Sequence, residues 1–126
     1  MRQATNPCVG LYAREFWLEG YLVSPCCVLF LLFENGECLS ASYNDENCIW
    51  EVKGQSPAPD FSTPEGDSAY YYPYRNHFPI EVGNIGELST YEVHDRNLLV
   101  FCFSRGVRVE LLYDQETEHE NIRVHA

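Results

Sequence analysis

The feature that most constrains the fold is a hairpin pattern that occurs twice, 70 positions apart. Residues 28–43 contain an apolar run, a turn at Gly36 and a second run that returns. Residues 98–113 repeat this order around Gly106. Aromatic content and an Asn-Gly turn favour strands over a short buried helix, which is the alternative for each apolar run. The pairs that match at this offset are Leu29 with Leu99, Phe33 with Phe103, Gly36 with Gly106, Tyr43 with Tyr113, and Glu46 with Glu116.

Each copy reads as strand, turn, strand, turn, strand, turn and short strand, so the sequence predicts a mostly β chain. Two antiparallel meanders of this kind pack as a β-sandwich or close into a small barrel. The 126 residues suit a single domain. We expect repeat one at about 12–53, a connecting loop at 54–79 and repeat two at about 80–124. The alternative to a true repeat is a chance likeness between two meanders.

The chain before the first hairpin is less regular. Residues 1–10 are expected to form an irregular lead-in, and residues 12–23 to form strands with a bulge or bend at Gly20. The alternative is a short helix over residues 11–18. Ser24-Pro25 is expected to end this element, because proline lacks the N–H group that a strand ladder needs. At the common offset of 70, residues 88–93 align with residues 18–23, which predicts equivalent strands in the two copies.

The connecting segment has a different composition from either copy. Its prolines forbid a continuous ladder, and Tyr74 follows a run of three tyrosines at 70–72. Residues 54–87 carry one basic and five acidic side chains, a net charge of −4. Long loops in compact domains are usually functional or disordered, and the aromatic residues disfavour disorder. The tyrosines either form a docking surface or pack over a sheet edge.

The net charge of −11 limits the kinds of partner. Nucleic acids and anionic membranes attract Lys and Arg, so both are unexpected partners. A basic protein is compatible, because opposite fields accelerate association. The alternative is that the acidity only keeps a small protein soluble.

No catalytic or metal-binding motif stands out. There is no nucleophile elbow, no phosphate-binding loop with its lysine, and no Cys-x-x-Cys pair. We therefore expect no enzyme activity, no cofactor and no metal. The first residues lack the apolar core of a signal peptide, so the six cysteines are expected to be reduced thiols in a cytoplasmic protein.

The candidate partner-binding residues combine carboxylates with tyrosines. Glu116, Glu118 and Glu120 would alternate along one face if that stretch is extended. Tyrosine supplies a large contact area with a polar tip at little entropic cost. The proposed binding set is Asp60, Glu65, Asp67, Tyr70, Tyr71, Tyr72, Tyr74, Glu116 and Glu118.

Each copy contains an apolar strand that ends in Phe-x-x-Gly, then a return strand with Tyr, then a short strand that contains Glu. This pattern resembles that of small bacterial immunity-type proteins. The residues that carry this resemblance are Phe33, Gly36, Tyr43 and Glu51 in the first copy, and Phe103, Gly106, Tyr113 and Glu120-Asn121-Ile122 in the second. The resemblance covers both copies but not residues 54–79. It implies a non-enzymatic, acidic, cytoplasmic protein that binds a toxin domain and blocks its active site. The resemblance assigns no toxin-contacting residue to this chain.

We therefore expect a binding protein that occludes a basic toxin domain sterically and electrostatically. The first alternative is a small-molecule-binding β-barrel, a scavenger or sensor, in which Trp50 and the tyrosines of 70–74 stack on the ligand. The second is a structural subunit whose strand edges pair between copies. The oligomeric state is left open.

Overall fold

The structure is a computed structural model that describes residues 6–78 and 83–125. These residues form β-strands and turns, and no helix occurs among them. The strands are β1 (Cys8–Leu18), β2 (Tyr21–Phe33), β3 (Cys38–Asn44), β4 (Ile49–Gly54), β5 (Glu65–Gly66), β6 (Tyr70–Tyr72), β7 (Tyr74–Asn76), β8 (Leu88–His94), β9 (Leu98–Phe103), β10 (Arg108–Asp114) and β11 (His119–His125).

The strands form two antiparallel sheets that pack face to face. The first has the order β4-β3-β2-β1-β6-β5, with β7 also paired to β1, and the second has the order β11-β10-β9-β8. Alternate residues of both sheets point inward into one core, as expected for half-buried strands. Its fully buried members include Leu11, Leu29, Leu31, Phe33, Leu99, Phe101, Val109 and Leu111. The predicted β-sandwich is thus confirmed, whereas the barrel alternative is wrong because the described strands form two separate sheets.

The two central hairpins share their backbone hydrogen bonds at the offset of 70. Phe33 N donates to Glu37 O at 2.9 Å, and Phe103 N donates to Val107 O at 3.0 Å. The turn glycines match as well, with φ of +90° at Gly36 and +87° at Gly106. Glycine is favoured at such positive φ because it has no Cβ. β3 and β10 also begin and end at equivalent positions.

The first strand of each copy follows a different offset, and the alignment of residues 88–93 with 18–23 is wrong. Cys8 pairs with Phe33 as Leu88 pairs with Phe103, which is an offset of 80. Both pairs are followed by a register shift at the next step, so even the irregularity is shared. The cause is a longer β1–β2 hairpin in the first copy. The expected lead-in over residues 1–10 is also wrong at its end, since β1 begins at Cys8; residues 1–5 lie outside the described residues.

Ser24-Pro25 does not end the element as predicted, because β2 continues through both residues. The ladder changes register at this point, with Arg14 paired to Val28 but Phe16 paired to Ser24. The residues of β2 between these pairs form a bulge. A bulge tolerates proline because its N–H group is not required for the ladder.

The connecting segment contributes three short strands rather than loop alone. β6 and β7 pair with β1, and β5 pairs with β6. Phe61 stacks on Tyr12 with ring centroids 4.1 Å apart, and it covers the outer face of the first sheet together with Tyr74. Prolines keep these strands short, as expected. The predicted start of the second copy near Ile80 lies outside the described residues.

The two meanders meet at Asn97. Trp50 Nε1 donates to Asn97 O at 2.7 Å, and Tyr43 Oη donates to Asn97 Oδ1 at 3.0 Å. The position equivalent to Trp50 is Glu120, which accepts a hydrogen bond from Ser24 Oγ at 2.6 Å. The two equivalent positions therefore differ in their partners: Trp50 bonds to a backbone carbonyl, and Glu120 bonds to a side-chain hydroxyl group.

Candidate functional site

Exposed apolar side chains are concentrated at the distal end of the long first hairpin. The structure describes seven large apolar side chains that are exposed, and five of them lie here. Tyr21 is the most exposed of all, at 78%. The five are Leu18, Tyr21, Leu22, Tyr70 and Tyr71, and the other two are Val93 and Leu112. Scattered apolar residues are normal on a surface, but a contiguous exposed group marks an interaction site. We call residues 16–24 together with β5 and β6 the extension.

The extension exposes apolar side chains on both of its faces. Leu18 pairs with Tyr21 on one side and with Tyr70 on the other, so these three side chains share the outer face. Trp17 likewise pairs with Leu22 and Tyr71, so that trio shares the inner face. A sheet that covers a core would hide one of these faces. Within residues 6–78 and 83–125 the second sheet has no counterpart of the extension, so both faces keep exposed side chains.

Local backbone geometry builds the tip of the extension. Glu19 and Gly20 form the turn between β1 and β2, with φ of +47° and +87°. Glu19 N donates to Ala69 O at 2.8 Å, which joins this turn to the β5–β6 turn. At Gly66, with φ of +95°, a Cβ would collide with the carbonyl of Tyr70. Glycine is therefore required there for β5 and β6 to pair.

Aromatic packing fixes β6 against β1. Phe16 stacks on Tyr72 with ring centroids 5.0 Å apart, and on Tyr70 at 6.4 Å. The Arg14 guanidinium lies 5.8 Å from the centre of the Tyr72 ring. Such contacts each contribute about 0.5–1.5 kcal/mol. Tyr72 is consequently a packing residue, whereas Tyr71 on the opposite face remains open to solvent.

Carboxylates border the extension. Glu19 lies in the turn at its tip, and Glu65 forms an ion pair with Arg14 at 3.5 Å. Asp67 Oδ1 accepts the backbone N–H groups of Tyr70 and Ala69, each at 2.9 Å. These two bonds lower the pKa of Asp67. The carboxylate is therefore ionised at neutral pH and held in a fixed position.

An open groove of about 520 Å³ lies on the inner face of the extension. It is lined by Trp17, Gly20, Gly66, Asp67, Ser68 and Tyr71. Trp17 Nε1 donates to Glu15 Oε1 at 3.0 Å, which sets the orientation of the indole ring. Glu15 is buried, and Arg75 lies 4.0 Å from its second oxygen. The wall of the groove is thus supported from behind by a charged pair.

A second cleft lies where the two meanders meet. Tyr43 and Tyr113 occupy equivalent positions and stack with ring centroids 3.7 Å apart and an angle of 6° between their planes. Burial and nearby carboxylates raise the pKa of Tyr113. The cleft measures about 520 Å³ and is also lined by Asp45, Cys48, Gln115, Glu118 and Glu120.

The structure separates the predicted site residues into several places. Tyr70, Tyr71, Glu65 and Asp67 gather at the extension with exposed side chains. Tyr72 instead packs on Phe16, and Tyr74 packs on Phe61 outside the extension. Asp60 caps its own turn, accepting bonds from the hydroxyl groups of Ser62 and Thr63 that lower its pKa.

The predicted row of alternating glutamates is wrong. Residues 115–118 form a turn, and Glu118 has a φ of +56°. Glu118 therefore lines the cleft between the meanders, and Glu116 lies in the turn, where its N–H group bonds to Asp114. Neither belongs to the extension.

Sequence reasoning missed the first-hairpin half of this surface. Trp17, Leu18, Tyr21 and Leu22 are its members there. The available signal was a Glu-Gly turn with apolar residues on both sides and no polar alternation. Such a pattern predicts a strand with two apolar faces, which here has no second layer to bury either of them.

The chemistry of the described side chains provides no obvious reactive centre. Among residues 6–78 and 83–125, no group of three or more His, Cys, Asp or Glu side chains is placed to hold a metal ion. Burial raises the pKa of the Cys8 thiol to about 12 and that of Cys38 to about 11. Both thiols are therefore protonated and unreactive at neutral pH.

No protein-family model, no curated protein and no solved structure matches this chain. In the described part of the chain, no helix has the length and apolar character that crossing a membrane requires.

Proposed function

We propose that this protein is a non-enzymatic binding protein of the immunity type, which blocks a basic toxin domain by docking through its extension. The observation that carries the proposal is the concentration of five exposed apolar side chains on the extension. Aromatic residues are enriched where interfaces derive most of their binding energy. The occlusion is steric, and no bond in the partner is made or broken.

Charge supports a basic partner over the other candidates. The chain carries a net charge of −11, and Glu19 and Asp67 stand at or beside the tip of the extension. A carboxylate at the leading edge opposes insertion into lipid and repels a polyanion such as nucleic acid. It attracts a cationic surface and accelerates the encounter. Self-association through the extension would bring the like charges of two copies together.

Apolar side chains are exposed on both faces of the extension, which supports a partner that contacts both faces. A flat partner surface would cover either the Leu18 face or the Leu22 face and would leave the other in water. A cleft that admits a single sheet would cover both. If the extension occupied a cleft of the partner, a small protein could block the partner's active site without any catalytic activity of its own.

The cysteines support a cytoplasmic location, which belongs to the same proposal. All six are free thiols in the structure. Cys8, Cys26 and Cys38 are buried and behave as small apolar core residues. An oxidising compartment typically selects for disulfides in small domains.

We also propose that the two meanders arose by internal duplication. Their shared hairpin hydrogen bonds, matching turn glycines and common register shift support this history. On this proposal the extension is a later elaboration of one copy, because only the first copy has it. Function is then expected to depend on the first hairpin more than on the second.

The test uses tagged protein and the basic product of the adjoining gene, with binding measured at low and at moderate salt. The variant Tyr21→Ser/Leu22→Ser should weaken binding at least tenfold, since it removes one apolar anchor from each face. The control Val93→Ser/Leu112→Ser changes side chains that are 37% and 38% exposed on the second sheet, and it should bind normally. Equal loss in both variants, or binding that does not weaken with salt, would refute the proposal.

A further inference from the structure

We propose that the inner groove of the extension binds an arginine side chain of the basic partner. This inference rests on the proposed function and specifies the chemistry by which the acidic protein recognises its partner. The groove lies between the β1–β2 turn and the β5–β6 turn. Two aromatic side chains and one carboxylate converge on it, and this combination suits a planar cation.

The aromatic walls are Trp17 and Tyr71. They are directly opposite each other in the β1–β6 ladder, so both side chains project from the inner face. Directly opposed residues in antiparallel strands have Cβ atoms about 5 Å apart. Guanidinium groups stack on aromatic faces and are more weakly hydrated than ammonium groups. An arginine that enters along the inner face therefore meets two π surfaces.

The indole wall is oriented before a partner arrives. The bond from Trp17 Nε1 to Glu15 holds the indole ring, and Glu15 itself is buried beside Arg75. The backbone of Tyr71 is positioned by strand pairing with both Trp17 and Gly66. An indole ring that is already oriented reduces the entropic cost of ordering the site on binding.

Asp67 supplies the opposite charge. Its Oδ1 atom accepts two backbone bonds, which hold the carboxylate in place and lower its pKa. The Oδ2 atom takes no part in these bonds and is free to accept a guanidinium N–H group. A charge-assisted bond of this kind is about twice as strong as a neutral one.

Two glycines also line the groove. Gly20 lies at the β1–β2 turn, where an added Cβ would meet no atom within 4 Å, so the space beside it is open. Gly66 lies opposite Tyr71, and a Cβ there would collide with the backbone carbonyl of Tyr70. The long, thin arginine side chain fits between the turns with its methylene groups against the aromatic rings. Anions are disfavoured by Asp67 and Glu19, and a neutral ring would leave the Asp67 carboxylate without a counter-charge.

The first experiment titrates the blocked tripeptide acetyl-Gly-Arg-Gly-amide into the protein and follows the indole N–H resonances by NMR. Trp17 and Trp50 are the two tryptophans of the chain, and Trp50 is buried at the junction of the meanders, so the two signals are distinguishable. The Trp17 resonance should shift with saturation and the Trp50 resonance should not. The citrulline peptide, which is neutral and has the same shape, should cause no shift. A lysine peptide should bind more weakly than the arginine peptide.

Free arginine separates a partner side chain from a metabolite as the natural ligand. Its α-ammonium and α-carboxylate groups cancel in charge, so it should bind no more tightly than the blocked peptide. Tighter binding of free arginine would overturn the assignment to a partner protein. No shift with the arginine peptide, or an equal shift with the citrulline peptide, would overturn the site itself.

Variants assign the contacts. Asp67→Asn keeps an oxygen for the two backbone bonds but removes the charge, and it should weaken peptide binding about fivefold. Tyr71→Leu keeps an apolar wall but removes the π surface, and it should weaken binding by a similar factor. The control Tyr21→Leu lies on the outer face and should bind the peptide normally. Unchanged binding in both test variants would overturn the inference.

The partner assay distinguishes failure of this inference from failure of the proposed function. If Asp67→Asn and Tyr71→Leu bind the basic protein normally while Tyr21→Ser/Leu22→Ser does not, the function stands and the arginine site is wrong. If none of these variants alters binding to the basic protein, docking through the extension is wrong as well.

Discussion

The junction at Asn97 provides a quantitative test of how the two meanders are held together. Trp50 is only 2% exposed, and its indole N–H donates to the Asn97 carbonyl at 2.7 Å. Its ring also meets Tyr43 edge to face, with centroids 5.5 Å apart. Replacement by phenylalanine keeps an aromatic ring but removes the donor and part of the buried volume. We therefore expect Trp50→Phe to destabilise the whole domain.

The magnitude follows from two contributions. The lost hydrogen bond costs about 1 kcal/mol, because Asn97 O keeps the N–H of Tyr113 at 2.9 Å and is not left without a donor. The smaller ring leaves a void in a close-packed core, which costs roughly 1–2 kcal/mol. The free energy of unfolding should fall by about 2–3 kcal/mol, and Tm by roughly 8–12 °C for a domain of this size.

Urea denaturation followed by far-UV circular dichroism measures this change without relying on tryptophan fluorescence. Tyr43→Phe is the matched control, since it removes the partly buried bond to Asn97 Oδ1 but keeps the stack on Tyr113. It should cost about 1 kcal/mol or less. A loss below about 1 kcal/mol for Trp50→Phe, or a larger loss for the control, would refute this account of the junction.

Three further outcomes are expected. Gly66→Ala should lower stability by about 1–3 kcal/mol, because the φ of Gly66 is positive and a Cβ has no space there. It should also release β5 from β6, which faster amide exchange at Tyr72, the residue paired with Glu65, would report. Alkylation at mild alkaline pH should modify the exposed Cys48 first. Cys8 and Cys26 should react only on unfolding, because burial raises the pKa of both thiols. Mass spectrometry after brief labelling reports the order of modification. Backbone hydrogen bonds hold the pKa of Asp67 below its ordinary value, so its carboxylate stays ionised as the pH falls from 7 to about 5. Binding of the arginine peptide should therefore be constant over that interval and should be lost only in stronger acid.

Much of the fold was predictable because the relevant signals are local. The turns at Gly36 and Gly106 each require a residue that accepts positive φ, and the apolar runs beside them alternate inward and outward within a few residues. Hairpin geometry is set by these short stretches, so the two meanders and the β-sandwich followed from the pattern. The tyrosines at 70–72 and 74 stood out by composition, but the sequence left open which of them pack and which are exposed.

The extension was not predictable in the same way. A Glu-Gly turn shows where a hairpin reverses but not how far its strands extend beyond the second layer. The offset of 80 for the first strand becomes visible only once Cys8 is paired with Phe33 and Leu88 with Phe103.

The sequence by itself determined the two hairpins, their turns, the absence of a catalytic motif and the acidic charge, because each depends on residues close together in the chain. Only the tertiary structure decided which acidic residues stand together. It brought Asp67 to the groove beside Trp17 and Tyr71, and it placed Glu118 at the stacked pair Tyr43 and Tyr113. Asp67 lies 50 positions after Trp17, and Glu118 lies 75 positions after Tyr43, so these neighbours come together only through strand pairing and sheet packing. The physical reason is that burial and register are properties of the assembled sheets, whereas charge and turn propensity are properties of single positions.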